Sequence, residues 1–163
     1  MRTSPVGFFF NSERDVLQAA RACAEVTHNH PQGIRGAQAV SFSIFLARHK
    51  KSKEIIRQEI SRWFNYDLTQ PIEDIRPQYH FDVSCQGSVP QSIIAFLESD
   101  NYEDAIRKAV SLGGDADTMA CIAGGIAEAF YGSLPEGIIF ETRKRLPEAF
   151  LNVVDAFYEA VGR

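Results

Sequence analysis

Apolar and small residues recur every three to four positions along most of the chain, the period of helices that bury one stripe. Val16, Ala19, Ala20, Cys23 and Thr27 share one face of residues 16–27, Arg14, Arg21 and Glu25 fall elsewhere, and Ser12 stands where an N-cap belongs. From Gly36 to Ala47 the sequence GAQAVSFSIFLA holds no charge, so the spacing predicts a helix buried on most sides. The alternation in SFSIF suits a strand, but the length of the segment, its alanines and the absence of hairpin turn pairs favour helix. A basic run, RHKKSK at 48–53, reads as a solvated helix end favoured by the dipole, before a helix over Glu54–Phe64 whose core stripe includes Trp63 and Phe64.

Periodicity then lapses over residues 65–87, which carry Pro71, Pro77, Tyr66, Tyr79, His80 and Phe81 and read as a long ordered loop of the kind that often carries function. Helical spacing returns three times: at Val89, Ile93, Phe96 and Leu97; at Ala105, Ile106, Ala109 and Val110; and at Met119, Ile122, Ala123, Ile126, Ala127 and Phe130. Beyond its start the last segment has Glu128 as its one charge, which predicts a second central helix. Pro135 and Pro147 open two terminal helices, at about 136–145 and 147–161, each with proline in its first turn. The whole chain, residues 1–163, reads as a single all-α domain without repeats.

Composition agrees with a compact fold. Of 163 residues 45% are hydrophobic and 23% charged, and a chain of this length can withdraw most of its unfolded surface from water without a disulfide or a metal. Seventeen Lys and Arg against twenty-one Asp and Glu leave a net charge of −4, which lacks the basic excess of nucleic-acid binding. No stretch approaches the ~20 apolar residues of a membrane span, and MRTSPVGFFF is too short a core for an export signal. Cys23, Cys85 and Cys121 have no CxxC spacing, so neither a disulfide framework nor a thiolate zinc site is expected. A reduced, cytoplasmic setting follows as the expectation, with Cys85 and Cys121 read as packing residues.

The chemistry concentrates in Leu112-Gly113-Gly114-Asp115-Ala116-Asp117-Thr118, between two helices. The glycines end one helix, and Asp-x-Asp-Thr opens the next, where free backbone N–H groups favour anionic side chains. Three oxygen-bearing side chains then share one helix entrance. They suit one side of the coordination sphere of a hard divalent cation, or one of them serves simply as an N-cap; spacing alone leaves both readings open. His28 and His30, in HNHP, read as loop hydrogen-bonding residues rather than a metal clip.

The string VSLGGDADTMACIAGGIAEAFYG, Val110 to Gly132, resembles the C-terminal signature of the ADP-ribosylglycohydrolase family. Three further stretches resemble that family in the same order: Met1 to Gly7 (MRTSPVG); Thr27-His28 with Pro31, Gly33, Gly36 and Ala37; and Gln86-Gly87-Ser88-Val89-Pro90. The resemblance implies an all-α orthogonal helical bundle that cleaves an ADP-ribosyl glycosidic bond at a dinuclear Mg²⁺ or Mn²⁺ centre. By the same resemblance Asp115, Asp117 and Thr118 are metal ligands, while His28, Ser88, Gly113 and Gly114 contact ADP-ribose or an ADP-ribosylated substrate. Nothing in this sequence resembles the family's upstream Gly-Asp motif, its catalytic acid or its Thr-Asp-Asp group. The expectation is therefore a fold lacking the N-terminal part, with no catalytic residue assigned and half of the metal ligands supplied elsewhere, by a second copy or a separate N-terminal partner chain. The alternative it leaves is a non-catalytic ADP-ribose-binding or assembly module.

Overall fold

Helix-terminating signals cut the sequence into ten α-helices, which the computed structural model describes over residues 1–162. They are α1 (Ser4–Phe9), α2 (Glu13–His28), α3 (Pro31–Arg48), α4 (Lys53–Phe64), α5 (Ile72–Ile75), α6 (Cys85–Leu97), α7 (Tyr102–Ser111), α8 (Ala116–Tyr131), α9 (Glu136–Arg145) and α10 (Glu148–Ala160). No strand occurs among the described residues. Caps explain most of the starts. Ser12, Ser52, Ser84 and Asn101 each accept a hydrogen bond from a backbone N–H three residues on, at 2.9–3.3 Å. His30 caps α3 through Nδ1, which accepts from the N–H of Gln32 at 3.2 Å.

Two compact units result, Met1–Gly132 and Ser133–Arg163. In the first, α3 packs against α1, α2, α4, α6 and α8, while α8 packs against α3, α6 and α7, so two long helices with extended charge-poor stretches are the central ones. Every residue from Ala39 to Ala47 is buried. The buried serines of these helices stay satisfied by returning their hydroxyls to carbonyls: Ser41 to Thr3, Ser43 to Ala39 and Ser92 to Ser88, at 2.7–3.0 Å. In the second unit, Arg143 of α9 forks onto both carboxylate oxygens of Asp155 in α10 at 2.7 and 2.8 Å, and neither helix buries a residue.

Several local expectations change. The segment 65–87 is anchored by buried Tyr66, Leu68 and Ile72, contains α5, and gives way to α6 at Cys85, four residues before the apolar spacing resumes. α3 likewise starts at Pro31 rather than Gly36, because His30 and Pro31 nucleate it ahead of the apolar stretch. Phe64 is buried but Trp63 is 49% exposed, laying only an edge against the Phe42 ring. Cys121 is exposed, on the outer face of α8.

The basic run also divides. Lys50 and Lys51 are exposed, as expected of a solvated end. Lys53 instead turns inward: its ammonium lies 5.4–5.6 Å from the ring centres of Phe96, Phe130 and Tyr131 and donates to the Tyr131 hydroxyl at 2.9 Å and to the Ser99 carbonyl. One cation therefore ties α4 to the ends of α6 and α8. Lys53→Met keeps the stem and removes the charge. It is expected to cost about 1–2 kcal/mol of unfolding free energy, read from chemical denaturation, whereas Lys51→Met should leave stability unmoved.

Candidate functional site

The first turns of α3, α6 and α8 supply wall residues to one cleft of ≈ 340 Å³: Gly33 from α3, Ser84, Cys85 and Ser88 around the start of α6, Asp115 and Thr118 at the start of α8. The last turn of α2 adds Ala24 and His28, and the approach to α1 adds Arg2 and Thr3. Arg2 is held in place from the α2 end. Its guanidinium donates to the Cys23 carbonyl at 2.7 Å and to the Thr27 hydroxyl, both on α2. The His28 Nδ1 is 2.6 Å from the same hydroxyl. Three helix N-termini at one cavity present partial positive charge and Arg2 adds a full one, which together outweigh the partial negative charge of the α2 C-terminus and suit an anion.

The acidic turn supplies the opposite sign. Gly113 ends the preceding helix in the left-handed region, φ 76°, which its missing β-carbon permits. Asp115 follows at the N-cap of α8, yet its side chain makes no capping bond. A carboxylate spent on the cap would be turned into the helix, so the N-cap reading does not describe the Asp115 side chain. The Asp117 carboxyl lies beside Asp115 and is held below the ordinary carboxylate range. Asp117 also accepts from the N–H of Thr118 at 2.8 Å.

Of the residues singled out from sequence, Asp115, Thr118, His28 and Ser88 line the cleft. Asp117 is exposed and touches it only through Asp115, while Gly113 and Gly114 shape the turn behind it. The dinuclear centre implied by resemblance needs about six oxygen ligands for each ion. Two carboxylates and one hydroxyl are hard donors of the right kind but cover one side of one ion. Among the described residues no group of three or more His, Cys, Asp and Glu side chains gathers to hold a metal. These residues alone do not fit a dinuclear centre. Cys85, although in the wall, has its thiol pushed up by burial, which argues against a thiolate nucleophile.

Sequence periodicity missed Arg2, Thr3 and Ser84 as wall residues. The signal for the first two was the MRTSPVG resemblance, and for Ser84 its cap position, masked by the apparent loop.

Over residues 1–163 the chain matches the sequence model of ADP-ribosylglycohydrolase. It belongs to the ADP-ribosylglycohydrolase family. Similar curated proteins include the ADP-ribosylhydrolase ARH3 of Gallus gallus, 27% identical over 177 residues, which aligns with 81% of this chain and 48% of its own length. The ADP-ribosylhydrolase ARH3 of Homo sapiens is 25% identical over 177 residues, with 81% and 49% covered. An uncharacterized protein of Archaeoglobus fulgidus is 26% identical over 151 residues, covering 83% and 50%. A solved structure titled ADP-ribosylglycohydrolase-related protein complex superposes with a TM-score of 0.65 at 25% identity, over 80% of this chain and 48% of that one. The chain thus spans about half the length of the ADP-ribosylglycohydrolase relatives it matches. No helix among the described residues is long and apolar enough to cross a membrane.

Proposed function

We propose that this chain forms the ADP-ribose-holding side of a glycohydrolase cleft, the side that binds the diphosphate and presents carboxylates to the ribose. One observation carries the reading: three helix N-termini and Arg2 meet in the same cavity as an uncapped Asp115. A diphosphate matches the N–H groups and the guanidinium. Ribose hydroxyls match Asp115, Thr118 and the Ser84 and Ser88 hydroxyls, which accept or donate as the ligand requires. His28, beside Arg2 on α2, gives a further polar contact.

Cleavage of an ADP-ribosyl bond builds positive charge on the ribose ring, and a carboxylate next to it stabilises that charge while holding the sugar still for water to attack. In this reading Asp115 takes that task. The remaining donors and the group that protonates the leaving side chain lie outside these 163 residues in this reading. The chain's own contribution is binding and orientation. The incomplete donor set favours a second reading, a binding module without turnover.

Titration calorimetry with ADP-ribose tests the shared part. Binding is expected, and Asp115→Ala should weaken it by about tenfold or more, the loss of a charge-assisted hydrogen bond. Absence of heat with the wild-type chain would defeat both readings. Release of ADP-ribose from an ADP-ribosylated protein, with Mg²⁺ or Mn²⁺ added and with or without the matching half of a relative, then separates hydrolase from binding module.

A further inference from the structure

The acidic turn is held from behind by a residue outside every motif noted above. Gly113 has no neighbour for a side chain within 4 Å, and Asp115 makes no cap bond, so neither anchors the turn through a side chain. Gly114 does have a neighbour. A β-carbon there would lie 2.3 Å from Cε1 of Tyr79 and 3.1 Å from its Cζ, so the edge of the phenol ring occupies the space that glycine leaves. The same ring reaches the start of α6, where its hydroxyl donates to the Gly87 carbonyl at 2.7 Å. The rest of the loop is folded onto that helix start as well. The Ser88 hydroxyl donates to the Asp82 carbonyl at 2.8 Å, and Asp82 Oδ1 accepts from the N–H of Ser84 at 2.7 Å.

The geometry points to Tyr79 as the positioning residue of the cleft: its ring, wedged between Gly114 and Gly87, fixes the turn that carries Asp115 and Thr118 relative to Ser84 and Ser88. Two consecutive glycines would otherwise give this turn a large choice of backbone conformations, and each conformation places the carboxylate differently. A ligand that binds through both walls needs them in one register. Tyr79 sets that register without touching the cleft. The role in ligand binding rests on the function proposed above; the mechanical role does not.

A mutant cycle separates the two. The variants are Tyr79→Ala, Tyr79→Phe, Gly114→Ala and the double Tyr79→Ala/Gly114→Ala, read by amide hydrogen exchange across residues 113–119 and by calorimetry with ADP-ribose. Tyr79→Ala is expected to speed exchange in the turn and weaken ADP-ribose by about tenfold each, and Tyr79→Phe, which keeps the ring, to restore most of both. Gly114→Ala drives a methyl into the ring and should produce a comparable defect. In the double variant that methyl has room, so its defect should be no worse than that of Tyr79→Ala alone. Should Tyr79→Ala not fold, Tyr79→Leu takes its place in the cycle. Unchanged exchange in the ring-deleted variant, or strictly additive defects in the double, would overturn the assignment. Failure of the wild-type chain to bind ADP-ribose would instead remove the proposed function, and exchange alone would still judge Tyr79.

Discussion

Phe42→Ala is expected to lower the free energy of unfolding by about 3–5 kcal/mol, which for a domain of this size is a large share of the total. The ring is fully buried in the middle of α3. It stands 6.0 Å from Phe45, 5.9 Å from Trp63 and 6.3 Å from Phe64, so its removal opens a void between α3 and α4 that rigid aromatic neighbours cannot fill. Urea denaturation should show a lower midpoint with an unchanged slope. Trp63→Ala, at the rim of the same cluster, should cost less, since half of that side chain already meets water. Equal costs for the two would mean that the cluster is not centred on Phe42.

Gly7→Val should be nearly as damaging, for the opposite reason. A β-carbon at Gly7 would stand 2.4 Å from the Ser41 carbonyl oxygen and 2.7 Å from the Ile44 β-carbon. Neither can swing aside, because one is backbone and the other the root of a branched side chain. α1 must then lift from α3, an overpacking cost of about 3 kcal/mol. The displacement also reaches the cleft. Thr3 is tied to α3 by the Ser41 hydroxyl, which donates to the Thr3 carbonyl at 3.0 Å, and Thr3 and Arg2 both line the cavity. Calorimetry at a temperature where the variant is still folded should show ADP-ribose affinity reduced by about tenfold or more. Retained affinity with lowered stability would show that α1 supports the fold without setting the site.

Much of the helical framework was legible because one principle, burial of a stripe, governs α2, α3, α4 and α6 to α8. The absence of charge in GAQAVSFSIFLA and the single charge, Glu128, in the body of α8 already marked the two central helices. What escaped notice obeys other rules. α1 has six residues, too few for a period to show, and its start is set by proline and by contact with α3. The first turn of α6, CQGS, is polar and small because it faces the cleft rather than the core, so the apolar signal begins a turn late. Lys53 reads as a solvated charge in RHKKSK, and only the meeting of Phe96 with Phe130 and Tyr131 draws it inward to a half-buried position. The site divides in the same way. Asp115, Thr118, His28 and Ser88 were identifiable by residue type and motif order, but whether Asp115 caps its helix or faces the cleft depends on the turn conformation. Asp117, equal to Asp115 in the sequence pattern, lies outside the cavity for that same reason.

The small residues around the cleft bear on how quickly it can be used. Gly33, Gly36, Ala24 and Ala37 line it from the long helices α2 and α3, so on that side the wall is close to main chain. On the proposed function a ligand reaches that wall without displacing a long side chain from it. Encounter with an anionic nucleotide should be governed by diffusion and ionic strength, with no slow opening phase in rapid mixing.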